Sequence, residues 1–162
     1  MGLPGSGKTY IAKLLANQLN YEHINSDQVR KEIHKKGHYT VEDKTLVYQE
    51  MLRGMRGVLE RGQDLIVDTT FYLQKLRDEF QALAAEYTSE IHWIHVTADE
   101  SIIEKRLSRP RMDSDADFRI FLSIRDQFEK PTMRCLELIN NQLENHEIIA
   151  KVKEFCDFKN DD

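Results

Sequence analysis

Gly2-Leu3-Pro4-Gly5-Ser6-Gly7-Lys8-Thr9, directly after the first methionine, fits the pattern G-x-x-x-x-G-K-[ST]. Glycines let the backbone turn with positive φ, so that successive N–H groups point inward and bind an anion. Lys8 supplies a mobile positive charge for the β- and γ-phosphates of a nucleotide, and the Thr9 hydroxyl can ligate Mg²⁺. The stretch therefore predicts a phosphate-binding loop, or P-loop. The predicted nucleotide-binding residues are Gly2, Leu3, Pro4, Gly5, Ser6, Gly7, Lys8, Thr9 and Tyr10.

Apolar residues at helical spacing follow the P-loop, and they predict a helix that starts at the bound phosphates. Its buried face would consist of Ile11, Leu14, Leu15 and Leu19. A helix N-terminus attracts anions through its free N–H groups and its dipole. The alternative is a glycine-rich turn before an ordinary helix, with no ligand. The helix behind the loop favours phosphate binding.

The strand that normally leads into a P-loop is missing from the sequence. A strand needs about five residues, yet only Met1 precedes Gly2. Either residues upstream are absent from the chain, or another segment fills this position in the sheet. We favour the first alternative, and we expect a sheet whose first strand is missing.

The remainder of the chain alternates between strand and helix patterns. Strands are predicted at about residues 21–25, 65–67, 91–96 and 136–139. Helices are predicted at about residues 28–36, 40–62, 73–84, 97–107, 118–131 and 142–155, with capping boxes at Thr40/Asp43 and Thr97/Glu100. This alternation predicts a three-layer α/β fold with a parallel sheet, in which ligands bind at the carboxyl ends of the strands.

Composition limits the class of protein. With 162 residues and 40% hydrophobic residues, the chain is expected to form one folded domain over residues 1–162. No apolar run approaches the roughly 18 residues of a membrane span, and no signal-peptide pattern is present, so we expect a cytoplasmic protein. The net charge of −5 disfavours an extended nucleic-acid surface. The two cysteines are expected to be reduced thiols.

Polar residues directly after the predicted strand 21–25 could serve the transfer of a phosphoryl group from the nucleotide to a hydroxyl of a second molecule, the acceptor. Asp27 would lie at the same edge of the sheet as the P-loop, where its carboxylate could take a proton from an attacking hydroxyl. Arg30, one helical turn later, would orient the acceptor or bind an anion. Alternatively, Ser26 or Asp27 only caps the next helix. The basic residues within 31–38 fit either a phosphorylated acceptor or, as we favour, one solvated helix face.

A second acid follows the short apolar strand 65–67. Asp68 has the form of a Walker B residue, which holds Mg²⁺ directly or through water. Three apolar residues and an aspartate mean little alone, but together with a P-loop they indicate a metal-binding role. The predicted magnesium ligands are Thr9 and Asp68.

A basic segment at about residues 104–118 predicts a lid. It contains Lys105, Arg106, Arg109 and Arg111 around the helix breaker Pro110. Guanidinium groups on a lid can neutralise the charge of the transferred phosphoryl group while they exclude water. Complementarity with the dipole at a helix C-terminus is the alternative explanation. We favour the lid.

Five segments together resemble the small P-loop kinases. They are Gly2–Thr9, Ile24-Asn25-Ser26-Asp27-x-x-Arg30-Lys31, Val67-Asp68-x-Thr70-Phe71, the pair Arg106/Arg109 and Ser114-Asp115-Ala116. This group includes polynucleotide 5′-hydroxyl kinases, zeta-toxin-like and chloramphenicol phosphotransferase-like enzymes, and the chain is similar above all to its predicted-kinase ATP-binding proteins. The resemblance implies a nucleoside-kinase-like P-loop NTPase fold with ATP and Mg²⁺ as cofactors. It also implies Asp27 as general base and Lys8, Arg106 and Arg109 as the other catalytic residues.

The predicted function is therefore transfer of the γ-phosphoryl group of Mg-ATP to a hydroxyl of a small molecule or a nucleic-acid end. One alternative is an ATP-binding regulatory module with little turnover, which the missing strand favours. A GTPase switch is a weaker alternative, because the sequence has no Asn-Lys-x-Asp motif for reading guanine.

Overall fold

A computed structural model describes residues 1–34, 38, 40–108 and 118–156 of the chain. Helices and strands alternate along it, as the sequence predicts. In chain order the elements are α1 (Lys8–Leu19), β1 (Glu22–Asn25), α2 (Ser26–Glu32), α3 (Val41–Glu60), β2 (Leu65–Asp68), α4 (Gln74–Glu86), β3 (Trp93–Thr97), α5 (Glu100–Leu107), α6 (Phe118–Arg125), β4 (Cys135–Ile139) and α7 (Asn145–Phe155). None of the described helices combines the length and apolarity needed to cross a bilayer.

The strands form two parallel pairs. β1 pairs with β2, with Glu22 opposite Leu65, and β3 pairs with β4, with Trp93 opposite Cys135. Parallel pairs need crossover connections, and here helices supply them. Because all four strands run in the same direction, their carboxyl ends lie at one edge, where the P-loop also begins.

The first two residues of the chain lie between the two pairs. The α-amino group of Met1 donates to the Ile94 carbonyl at 2.7 Å, and the Met1 carbonyl accepts from the Val96 N–H at 2.9 Å. On the other side, the Gly2 N–H donates to the Thr70 carbonyl at 3.3 Å. Met1 and Gly2 thus occupy the carboxyl end of the position that a first strand would fill.

A cavity of about 520 Å³ continues from Met1 along the rest of that position. Its lining includes Leu15, Ile66, Phe80 and Trp93, so it is largely apolar. Burial, opposed by the charge of Asp68 and assisted by that of Lys8, lowers the pKa of the Met1 amino group from 8.0 to about 6. The predicted gap in the sheet is therefore present, and a titratable group lies inside it.

Helices cover both faces of the strands and give the predicted three layers. On one face, α3 and α4 pack over an aromatic cluster in which Phe71 meets Phe80 and Trp93 edge to face, with ring centroids 4.9 and 5.1 Å apart. On the other face, α1 and α7 pack against β3 and β4. That second cluster contains Ile11, Leu15, Val96, Leu138, Ile148 and Val152.

The predicted boundaries of three helices, α5, α2 and α6, are wrong. α5 does not start from a capping box at Thr97, because Thr97 pairs with Ile139 at the end of β3 and Asp99 is the N-cap residue. α2 starts at Ser26 and ends at Glu32. α6 ends at Arg125, and Phe128 lies beyond it, where its ring stacks on His95. The capping box of α3 is confirmed, since Thr40 Oγ1 accepts from the Asp43 N–H at 3.1 Å.

Candidate active site

The P-loop turns on two glycines in the left-handed region. φ is 82° at Gly5 and 94° at Gly7, which only glycine adopts without strain. A Cβ atom at Gly7 would lie 2.0 Å from Asn140 Nδ2, and one at Gly5 would lie 2.9 Å from Ile103 Cγ2. Gly7 is also the N-cap of α1 and offers no side chain to its first N–H groups. The loop thus presents open main-chain donors, as an anion-binding site requires.

Arg106 and Asn140 hold the outer side of this loop. The Arg106 guanidinium donates from Nη1 to the carbonyls of Gly5 and Ser6 at 3.2 Å each, and from Nη2 to the Asn140 carbonyl at 2.8 Å. Asn140 Nδ2 donates to the Ser6 carbonyl at 3.0 Å. Both side chains bind carbonyl oxygens on the outer side of the loop, so neither of them uses an N–H group of the loop.

Arg106 therefore lies against the P-loop, at the end of α5. Of the predicted lid, residues 104–107 belong to this helix, whereas Arg109 and the rest of segment 109–117 lie outside the described residues. Sequence reasoning missed Asn140. Its signal was available, because Asn140 directly follows β4 just as Asp68 ends β2.

Asp68, the predicted magnesium ligand, is buried at the end of β2. Its carboxylate is 3% exposed and accepts from Asn25 Nδ2 at 2.6 Å, with His23 Nε2 3.6 Å away. Burial alone would raise the pKa of Asp68, but the contact with His23, the charge of Lys8 and hydrogen bonds from Thr9 and Asn25 lower it to about 2. Asp68 is therefore ionised at neutral pH beside Lys8 and Thr9, the residues predicted to bind phosphate and metal.

This donor set fits magnesium. Mg²⁺ prefers oxygen ligands and is usually held by one or two protein groups together with phosphate oxygens and water. The Thr9 hydroxyl and the Asp68 carboxylate supply two such oxygens next to the loop. No group of three or more His, Cys, Asp or Glu side chains that could hold a metal occurs among the described residues. Thr9 and Asp68 are thus suited to a magnesium ion whose other ligands are phosphate oxygens of ATP and water.

Asp27 and Arg30, the residues predicted to meet the acceptor, lie on α2. Asn25 is the N-cap of this helix, and its Oδ1 accepts from the Gln28 N–H at 2.9 Å. The idea that Ser26 or Asp27 caps the helix is therefore wrong. Arg30 is 8% exposed and donates from Nη1 to the His38 carbonyl at 2.7 Å.

The start of α3 adds residues that sequence reasoning missed. Tyr48 Oη lies 3.3 Å from Thr69 Oγ1 and 3.4 Å from Thr70 Oγ1, just beyond Asp68. Lys44, one turn earlier on the same helix, has its Nζ 5.5 Å from the centroid of the Tyr72 ring. Their i, i+4 spacing in α3 was visible in the sequence. Nothing in the sequence showed which element that face of the helix would meet.

Arg77 fixes the segment that follows Asp68. This arginine is fully buried and donates to the carbonyls of Phe71 at 3.1 Å and Glu129 at 2.8 Å. Phe71 has a φ of 48°, in the left-handed region of backbone conformation, which residues other than glycine rarely adopt. Arg77 therefore stabilises an unfavourable turn between the metal-binding acid and Tyr72.

Comparison with known proteins agrees with this geometry. Residues 1–131 match the family AAA_33, described as AAA domain. The chain belongs to this family. Its AAA_33 region includes the P-loop, Asp27 and Asp68. With the solved structures below, the match confirms a small P-loop kinase-like protein with the predicted α/β fold.

Two relatives of this AAA_33 protein are similar in sequence. A UPF0200 protein of Pyrobaculum aerophilum is 30% identical over 129 residues, which cover 75% of this chain and 70% of that protein. An uncharacterized protein of Mycobacterium tuberculosis is 30% identical over 132 residues. That match covers 74% of this chain but 26% of the mycobacterial protein.

Two solved structures share the fold. A sugar kinase from Janibacter superposes with a TM-score of 0.73 at 19% identity, over 97% of this chain and 91% of that one. The APS kinase CysC of Mycobacterium tuberculosis, solved with AMPPNP and APS, has a TM-score of 0.73 at 14% identity, over 97% of this chain and 94% of that one. At these identities the likeness establishes the fold alone.

Proposed function

We propose that this protein is an ATP-dependent phosphotransferase that moves the γ-phosphoryl group of Mg-ATP to a hydroxyl of an acceptor. One observation carries the proposal: the ionised Asp68 meets Lys8 and Thr9 at the open N-terminus of α1. A nucleoside triphosphate with magnesium matches this site: the main-chain N–H groups and Lys8 suit the phosphates, and the oxygens of Thr9 and Asp68 suit the metal ion. The APS kinase of the same fold, which was solved with AMPPNP, supports a nucleotide at this place.

Asp27 would act as the general base. The acceptor hydroxyl gives its proton to the Asp27 carboxylate while its oxygen attacks the γ-phosphorus, and the bond to the β-phosphate oxygen breaks to release ADP. Arg30, one turn along α2, would orient the acceptor. Magnesium, when bound by Thr9 and Asp68, would neutralise charge on the β- and γ-phosphates.

Lys8, Arg106 and Arg109 would stabilise the transferred phosphoryl group. Lys8 neutralises the β- and γ-oxygens as their charge develops. The contacts of Arg106 with the Gly5 and Ser6 carbonyls support a role in holding the P-loop in its binding shape. Arg109 remains a predicted lid residue.

An ATP-binding module with little turnover is the second candidate. The contacts of Arg106 favour it, because the guanidinium binds the Gly5 and Ser6 carbonyls and so supports the shape of the loop. Asp27 on the neighbouring helix disfavours it, since a binding module has no need of a base at the acceptor edge.

Two measurements test the proposal: titration with Mg-ATP, and transfer from γ-labelled ATP to a panel of sugars, nucleosides, aminoglycoside-like alcohols and 5′-hydroxyl oligonucleotides. We expect binding and transfer in the wild type and no transfer in Lys8→Ala. Lys13→Ala, an exposed lysine on the same helix, should stay within about twofold of the wild type. A folded wild type without affinity for any nucleoside triphosphate and magnesium would overturn the proposal. Binding without transfer to any acceptor would favour the second candidate.

A further inference from the structure

Asn25 uses both polar atoms of its side chain to join two parts of the site. Its Nδ2 donates to Asp68 Oδ2 at 2.6 Å, and its Oδ1 accepts from the Gln28 N–H at 2.9 Å. The first bond holds the predicted magnesium ligand. The second caps α2, the helix that carries Asp27. One amide thus lies between the acid predicted to bind the metal ion and the helix of the candidate base.

Strand pairing brings this amide to Asp68. β1 and β2 are parallel, and Asn25 lies opposite Asp68 at the carboxyl end of both strands. Residues two apart in a strand share a face, so His23 lies on the same face of β1, with its Nε2 3.6 Å from Asp68 Oδ2. That separation is longer than a hydrogen bond. Asn25 therefore supplies the hydrogen bond by which β1 orients this carboxylate.

Helix capping alone does not explain why residue 25 is an asparagine. Asparagine, aspartate and serine cap helices about equally well. Asn25→Asp would place a second carboxylate against Asp68, and the hydroxyl of Asn25→Ser would take the place of Oδ1 and leave that of Nδ2 empty. Among these three residue types, asparagine has both an acceptor for the Gln28 N–H and an N–H donor for Asp68.

We propose that Asn25 is a positioning residue that couples the magnesium site to the helix of the candidate base. Its Nδ2 holds the Asp68 carboxylate beside Lys8 and Thr9. Its Oδ1 fixes the first turn of α2, and with it Asp27. The inference rests on the proposed function, because it assigns a role within that same site. In this role Asn25 contacts neither nucleotide nor acceptor and acts through Asp68 and α2.

Metal binding separates this role from capping without knowledge of the acceptor. The affinity of each protein for AMPPNP is measured by calorimetry with magnesium and again with EDTA, and the ratio of the two affinities reports how well the protein holds the ion. Asn25→Ser should lower this ratio by about 10–100-fold, as loss of a partner that orients a metal ligand does. Its affinity in EDTA and its urea midpoint should stay close to those of the wild type, because serine keeps the cap.

Thr40→Ala is the matched control. Thr40 Oγ1 caps α3 by accepting from the Asp43 N–H at 3.1 Å. Its loss should lower the urea midpoint and leave the magnesium ratio unchanged. A wild-type ratio in Asn25→Ser, or an equal fall of the ratio in Thr40→Ala, would overturn the inference.

Transfer tests the connection to α2. With the acceptor of the panel that reacts fastest, kcat is measured against magnesium concentration. Asn25→Ser should need more magnesium but approach the kcat of the wild type at saturation. Asn25→Ala also loses the cap, so its kcat should stay about tenfold or more below the wild type at saturating magnesium, because the base is no longer held in place. Equal kcat values of the two variants at saturation would overturn the coupling. A wild type that binds no Mg-AMPPNP, or transfers to no acceptor, would instead contradict the proposed function.

Discussion

The nucleotide side and the acceptor side of the site are built from different parts of the polypeptide. On the proposed nucleotide side, the main chain of the P-loop forms the surface, and Arg106 and Asn140 bind the loop carbonyls at 3.0–3.2 Å. On the proposed acceptor side, the candidate residues are side chains of α2 and α3, including Asp27 and Tyr48. Main-chain sites need glycines at fixed spacing, which a sequence displays. Side-chain sites depend on which helices meet, so the donor is easier to infer from sequence than the acceptor.

Asp27→Asn should show the largest difference between the effect on phosphoryl transfer and the effect on nucleotide binding. We expect kcat to fall by about 100–10,000-fold, because the amide cannot take the proton of the acceptor. The dissociation constant of Mg-ATP should remain unchanged, since Asp27 lies on α2 and is not one of the proposed nucleotide-binding residues. Single-turnover transfer and nucleotide titration measure the two effects. Asp78→Asn, on the exposed side of α4, is the matched control, and an Asp27→Asn enzyme of full speed would refute the base.

Gly7→Ala should damage the nucleotide side instead. The added Cβ would lie 2.0 Å from Asn140 Nδ2 at a residue whose φ is 94°, so the loop must distort. We expect Mg-ATP affinity to fall by about 100-fold, in line with roughly 3 kcal/mol of strain. Gly57→Ala in α3, where the nearest atom is 3.9 Å away, should stabilise the protein by up to about 1 kcal/mol. Titration and urea unfolding check both, and normal ATP binding by Gly7→Ala would show that the loop is not a main-chain site.

The third prediction concerns the sheet on which both sides depend. The Met1 amino group has a pKa of about 6 in the folded protein and about 8.0 when unfolded, so the unfolded chain binds more protons between these values. The free energy of unfolding should therefore rise from pH 6 to pH 8 by roughly 2–3 kcal/mol. Burial also lowers the pKa of His95, which acts in the same direction below pH 6.5.

Urea unfolding across this pH range measures the effect, and mass spectrometry checks that Met1 is retained. A chain acetylated at Met1 has no titrating amino group and should lose most of the rise between pH 7 and pH 8. An unmodified protein with flat stability over that interval would contradict the buried amine.

Arg106→Ala should have the smallest effect. Its result distinguishes support of the P-loop from stabilisation of the transferred phosphoryl group. Loss of three hydrogen bonds to Gly5, Ser6 and Asn140 should lower Mg-ATP affinity by about tenfold and stability by about 1–3 kcal/mol. Lys105→Ala, next to it and exposed, is the control. If affinity is retained and only kcat falls, Arg106 serves the transferred phosphoryl group and does not support the loop.

Local patterns in the sequence predicted the fold well. The glycine spacing gave the loop and α1, and the apolar run before Asp68 gave β2, because each depends on neighbours in sequence. Thr97 shows the limit of such patterns. A threonine three residues before a glutamate suits a helix cap, but pairing with Ile139 in β4 extends the strand instead.

The unpredicted parts of the site depend on contacts between distant residues. Asn140 binds Ser6, which is 134 positions away in sequence. Tyr48 becomes notable only because α3 packs so that its hydroxyl lies 3.3 Å from Thr69 Oγ1 and 3.4 Å from Thr70 Oγ1. The hydrophobic periodicity of a sequence does not show which distant residues come into contact. The roles of Asp27, Arg30, Arg106 and Arg109 stay predictions that the experiments above address.

The location of Met1 has a practical consequence for anyone who handles this protein. Its backbone nitrogen faces the cavity between β2 and β3, so any residues joined to it would begin inside the molecule. Polar residues there, such as a polyhistidine tag, would be placed in a largely apolar space at a cost in free energy. A short extended linker of valine and isoleucine could lie along Ile66 instead, and would be the better choice for a fusion at this end.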